Sequence, residues 1–144
     1  MIEQDTIKLL RECDAGTKMG ISSISDVIDK ISDESMRGIL EECKREHERL
    51  EGELAEQLAK YRDDGKDPNP IAKGMSYFKT NLKLGIDYSD STIAELMSDG
   101  ASMGSKTISR YLNEYKAADE FSKDIAKRLI SIEDTLAANI RGFL

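Results

Sequence analysis

Apolar residues recur at three- and four-residue spacing through four long stretches of this chain, and no stretch alternates with the two-residue period of a strand. A helix with one apolar stripe must bury it against another element, so the spacing predicts an all-α bundle. The first stretch, 6–31, carries Ile7, Leu10, Cys13, Ile21, Ile24, Val27, Ile28 and Ile31, with Thr17 and Gly20 in the same stripe and Asp5 placed as its cap. The second, 33–63, carries Met36, Leu40, Cys43, His47, Leu50, Leu54, Leu58 and Tyr61, with Ser32 as its cap. Its outer face is densely charged, and Glu41–Arg45 and Glu56–Lys60 are i,i+4 pairs in the favourable order.

Both prolines, Pro68 and Pro70, follow Gly65 and end the second helix. Asn69 as cap with Pro70 at the first helical position opens a shorter helix over 71–84. The third long stretch, 90–115, starts at a Thr92-x-x-Glu95 capping box and carries Ile93, Met97, Gly100, Gly104, Ile108, Tyr111 and Tyr115. The fourth, 119–143, directs Phe121, Ile125, Leu129, Ile132, Leu136 and Ile140 inward. Nothing breaks the pattern between these two, yet one continuous helix would be about 80 Å long. A tight turn at 116–118, with Asp119 capping the last helix, is the expected solution.

The length of 144 residues argues for a single domain over 1–144. Short links make antiparallel hairpins of the first and last helix pairs. The long 64–89 link can return along the bundle, which predicts up-down-down-up, ferritin-like connectivity with a crossover carrying the short helix. The stretches Asn69-Pro70-Ile71-Ala72-Lys73-Gly74-Met75, Ile93-Ala94-Glu95-Leu96-Met97 through Gly100 to Met103-Gly104, and the closing Phe143-Leu144 strengthen this. On these residues the chain resembles the ferritin-like superfamily, and within it an uncharacterised family of small helical bundles from anaerobic Firmicutes. The resemblance spans essentially the whole chain and implies a fold, with no established activity.

Acids outnumber bases 28 to 21, for a net charge of −7, which repels a phosphate backbone and argues against nucleic acid as partner. Lys123, Lys127 and Arg128 are interleaved with Asp119, Glu120 and Asp124 and read as a solvated helix face. No apolar run reaches the ~20 residues of a membrane span, and the acidic start, Met1 to Asp5, is not a signal peptide. The expectation is a soluble cytoplasmic protein. Cys13 and Cys43 occupy apolar helix positions, form no C-x-x-C motif and read as small buried hydrophobes.

Active ferritin-like bundles hold two metals with carboxylates from two helices and Glu-x-x-His from the other two. One histidine in the whole chain makes that pattern impossible, and Lys44 stands where His47 would need its glutamate. The layer level with His47 is read as Thr17, Gly20, Gly104 and Leu129 or Ile132, while Glu46, Asp14 and Glu133 lie near it with a phase that points them sideways. Three readings follow. The leading one is a non-enzymatic bundle without cofactor, working through protein contacts as a homo-oligomer or with another protein. The second is a degenerate iron or manganese site at His47 with Glu46 and Glu133. The third is a small-ligand carrier with a pocket at Thr17, Gly20, Gly100 and Gly104, lined by methionines such as Met19, Met36, Met75, Met97 and Met103. Cys43 and His47 are one helical turn apart, but no third group to orient the imidazole is evident in the sequence.

Overall fold

A computed structural model of the chain describes residues 2–66 and 88–144. Four long helices account for most of them: α1, Ile2–Val27; α2, Glu34–Lys60; α3, Asp90–Glu114; and α4, Glu120–Ile140. Single 3-10 turns extend α1 at Ile28–Lys30 and α4 at Arg141–Phe143. No strand occurs among the described residues, so the all-helical reading holds. The short helix expected over 71–84 lies outside them.

The caps differ in detail from the expectation. α1 starts at Ile2, and Asp5 serves the far hairpin instead, its carboxylate accepting from the Ala117 amide at 3.0 Å. Asp33 rather than Ser32 caps α2, accepting from the Met36 amide, and Ser89 caps α3 through the Thr92 amide. Asp119 caps α4 as expected, at 2.8 Å from the Ser122 amide, and the turn between α3 and α4 falls at 115–118. The Asp119 amide donates to the Thr6 hydroxyl at 2.8 Å, which places that turn beside the start of α1. At the other end both oxygens of Asp90 accept backbone amides, those of Ser32 and Asp33, at 2.9 and 2.8 Å. The start of α3 therefore stands beside the start of α2.

These end contacts set the rotation of α4. Ser122, Ile125, Ala126, Leu129, Glu133, Leu136 and Ile140 face inward. Phe121, expected inside, is 48% exposed, because the Asp119 cap turns Ser122 into the bundle in its place. Glu133 correspondingly replaces Ile132, which is only partly buried. On α1, Asp14 is likewise buried rather than sideways.

The core is divided in two. An upper cluster joins Ile24, Val27, Met36, Leu40, Ile93, Met97, Leu136 and Ile140 with their neighbours. A lower one joins Leu9, Leu10, Cys13, Leu54, Leu58, Ile108, Ile125 and Leu129. Between them lies a polar layer containing His47 and Glu133, and it is this layer that glycines accommodate. A Cβ on Gly20 of α1 would stand 2.5 Å from His47 Nε2, and one on Gly104 of α3 would stand 3.3 Å from a Glu133 oxygen. Gly38 and Gly52 of α2, by contrast, face open space.

Glycine in a helix interior is less favourable than alanine by about 0.5–1 kcal/mol. Gly38→Ala and Gly52→Ala are therefore expected to raise unfolding free energy by about that amount each. Gly20→Ala is expected to lower it by about 1–3 kcal/mol, because the added carbon meets a ring that cannot retreat. Urea denaturation of the three variants, read at constant m-value, checks both signs.

Candidate functional site

His47 reaches the bundle interior because it continues the α2 stripe from Cys43 to Leu50, and it is 1% exposed. Its ring spans from its own helix to α4. Nδ1 stands 2.8 Å from the Cys43 carbonyl oxygen and 3.5 Å from Cys43 Sγ. Nε2 stands 2.5 Å from Glu133 Oε1. A carbonyl oxygen only accepts, so Nδ1 carries a proton and donates it. Glu133, 8% exposed, holds the proton on Nε2 as well, making a buried imidazolium–carboxylate pair. Burial works against the charged ring, but hydrogen bonds to Cys43 and Glu133 and their charge outweigh it and push the His47 pKa up to about 10.

The pair is completed from all four helices. Gly20 lets α1 approach the imidazole, and Gly104 lets α3 approach the carboxylate. Thr17 is buried nearby and donates its hydroxyl to the Cys13 carbonyl at 2.7 Å. The structure thus brings together His47, Glu133, Gly20 and Gly104. Glu46 is half-buried on the flank of α2, and Gly100 lies on an exposed position of α3. The room left by Gly20 and Gly104 is filled by the His47 ring and the Glu133 carboxylate. Of the methionines expected around a pocket, Met36 and Met97 belong to the upper core and Met103 is exposed. Met75 lies outside the described residues.

The arrangement has two consequences for metal chemistry. Both imidazole nitrogens are engaged by protein acceptors, so neither offers a lone pair while the Glu133 bond is closed. Among the described residues no group of three or more His, Cys, Asp or Glu side chains is placed to hold a metal ion. The two-metal pattern of active ferritin-like bundles does not fit this layer.

A second buried acid group lies lower in the bundle. Asp14 accepts from the Lys66 amide and pairs with Lys18 Nζ, both at 2.9 Å. Gly65, at φ +89°, packs its α-carbon against the Asp14 carboxylate, a place no side chain could occupy. Lys66 pairs with Glu12 at 2.5 Å and Arg11 with Asp63 at 2.7 Å, so the chain leaving α2 is already laid back along α1 by residue 66. Glu51 is pushed up to about 8 by burial and by its hydrogen bond and repulsion with Asp14. The periodicity of α1 points Asp14 sideways, and it is buried because residues 65–66, outside that helix, cover it.

A shallow groove of about 470 Å³ runs between α2 and α4 on the upper half of the bundle. Gly38, Ile39, Cys43, Glu46, Ile132 and Leu136 are among its lining. Cys43 thereby connects the groove to the buried pair, and Glu133 supplies the orienting third group missing from the sequence reading. The outcome is a thiol, an imidazole and a carboxylate in series. His47 is already protonated at neutral pH, however, and so is not poised as a general base. No family model matches the chain, and no curated protein or solved structure matches it.

Two predictions follow from the charges. At neutral pH, Glu133→Ala leaves an imidazolium buried without its counter-charge and is expected to lower stability by about 3–5 kcal/mol. The double variant His47→Leu/Glu133→Leu is expected to recover most of that loss; a denaturation double-mutant cycle measures both. Folded His47 and Glu51 each keep a proton beyond the pH at which the unfolded chain releases it. Unfolding therefore releases protons, and stability falls as pH rises. The Glu51 contribution falls between 4.5 and about 8, and that of His47 between 6.5 and about 10. Urea midpoints taken across this range should decline, and Glu51→Gln should flatten the lower part of the decline.

Proposed function

We propose that this chain is a ferritin-like bundle of up-down-down-up connectivity that works through protein–protein contacts as a homo-oligomer, without catalysing a reaction. The connectivity rests on two observations. Asp90 holds the start of α3 against Ser32 and Asp33 at the start of α2, and the 63–66 segment turns back along α1 after α2 ends. The non-catalytic reading rests on the middle of the bundle. There a single imidazole, protonated and held at both nitrogens, occupies the place where active relatives of that fold would present open ligands.

The surface supports self-association. Ile2 and Phe121 are exposed at the end of the bundle where α1 and α4 begin, and Met103 is exposed on α3. Tyr88 and Leu144 are exposed at the opposite end, so single exposed apolar residues occur at both ends, and the pair Ile2 and Phe121 is the one taken here as the interface between copies. No helix among the described residues is long and apolar enough to cross a membrane. A cytoplasmic location fits two free, buried thiols. Size-exclusion chromatography with light scattering tests the oligomer. The wild type should exceed the 16.1 kDa chain mass, and Ile2→Glu/Phe121→Glu should reduce it to that mass. A wild type that runs as a monomer at tens of micromolar overturns the proposal.

A second reading has one observation in its favour, the meeting of His47 with Glu133. A single iron or manganese ion would replace the proton between them, with Glu46 turning inward as a further ligand. Elemental analysis of the purified protein separates the two readings. Stoichiometric metal that disappears in His47→Ala establishes the second; metal-free protein sustains the first.

A further inference from the structure

We infer that residues 63–66 form a pH-sensitive latch on α1, closed while a shared proton joins Glu51 to Asp14 and released as rising pH removes that proton. The inference goes beyond the proposed function and does not depend on it. Its frame is the way the chain leaves α2. The Arg62 amide donates to the Ala59 carbonyl and the Asp63 amide to that of Leu58, which ends the helix with Arg62 at φ 55°. Gly65, at φ +89°, makes a second left-handed turn. Together the two positions reverse the chain and hinge the strap between them.

The strap is pinned to α1 at three places. Asp63 pairs with Arg11 at 2.7 Å, Lys66 Nζ pairs with Glu12 at 2.5 Å, and the Lys66 amide donates to Asp14 at 2.9 Å. Both ion pairs are partly exposed, where such contacts contribute little. Asp14 differs, since it is 2% exposed and Gly65 lies directly over its carboxylate. Its hold on the Lys66 amide decides whether the strap lies down.

Asp14 is also where charges from several elements meet. Lys18 of α1 pairs with it at 2.9 Å, and the Glu51 carboxyl of α2 hydrogen-bonds to it. Glu12 of α1 is turned to Lys66 of the strap, and the Tyr115 phenol at the end of α3, kept neutral by burial, senses both. The charges that act on Glu51 itself are those of Asp14 and Lys18. Two carboxyls hydrogen-bond to each other only when one carries a proton. Asp14 already accepts from an ammonium and an amide, so the proton belongs to Glu51. Glu51 Oε2 is buried and no described group donates to it, a setting that disfavours an ionised carboxylate. Burial, then Asp14, push Glu51 up to about 8, against the attraction of Lys18. Loss of the proton sets two negative charges against each other beneath the strap. Lifting the strap admits water to Asp14 and screens that repulsion. The lower core holds α1 and α2 together, so the hinged strap is the part that yields. The closed form binds the proton more tightly than the open one, and rising pH therefore favours opening.

The test is amide hydrogen exchange of the full-length protein between about pH 6 and pH 9, with every rate corrected for the intrinsic rate at that pH. Protection of the Lys66 amide is expected to fall by about tenfold or more across this range and to level off above about pH 8. Glu51→Gln keeps the shape of the side chain and gives Asp14 a permanent N–H donor, so Lys66 should stay protected throughout. The Leu129 amide in the core of α4 reports global unfolding. In low urea its exchange should quicken while that of Lys66 stays constant, because a local opening exposes little surface. Lys66 protection that does not change with pH overturns the inference. So does a pH response that survives in Glu51→Gln, or a Lys66 rate that follows Leu129 in urea.

Discussion

The ion pair between His47 and Glu133 is the interaction around which the bundle is arranged. Two charges buried at 2.5 Å do not stabilise a fold simply by attracting each other, because removing them from water costs several kcal/mol per ion. Their effect is directional. An apolar side chain packs almost as well one helical turn away, but His47 meets Glu133 in only one alignment of α2 with α4. The same alignment brings Gly20 of α1 against the imidazole and Gly104 of α3 against the carboxylate. All four helices are thereby registered at one level. Two helix-interior glycines and a desolvated pair are unfavourable locally, and each is explained by the other.

The ends of the bundle use the same logic with backbone groups. Asp5 and Thr6 at the start of α1 bind the amides of Ala117 and Asp119, and Asp90 at the start of α3 binds those of Ser32 and Asp33. Each contact satisfies amides in a turn or at a helix start, and each joins one hairpin to the other. Apolar clusters above and below the polar layer supply most of the attraction, while three levels of polar contact decide how the rods align. Phe121 shows the balance between them. Its burial would have favoured a different rotation of α4, but the Asp119 cap and the Glu133 pair together hold the helix about one residue away from it.

Periodicity made the four helices legible; the turn before α4 followed instead from the length an unbroken helix would have, and its cap from Asp119. Periodicity also put His47 inside. What it left open were contacts between distant residues whose cause is not local. Glu133 read as sideways because Ile132 offered a better apolar stripe, and only the imidazole across the bundle makes the acid the inward residue. Asp14 read the same way until residues 65–66 covered it. The small residues Gly20 and Gly104 were visible as a feature of the middle layer. Whether they opened a pocket or admitted large side chains depended on the helix register, which the pair itself determines.

The polar groups in this interior share a bias towards holding protons. His47 keeps its second proton because hydrogen bonds and charge from Cys43 and Glu133 outweigh its burial, and Glu51 keeps its proton because of burial and then its contact with the Asp14 side chain. In a chain of net charge −7, both effects make the folded interior less negative than the same residues would be in water. That suits a bundle whose acidic residues are otherwise spread over exposed helix faces, where repulsion is screened by solvent. It also explains how a lone histidine can be buried in its charged form. The charge it carries is matched by Glu133 on one side, and a carbonyl dipole accepts its remaining N–H on the other.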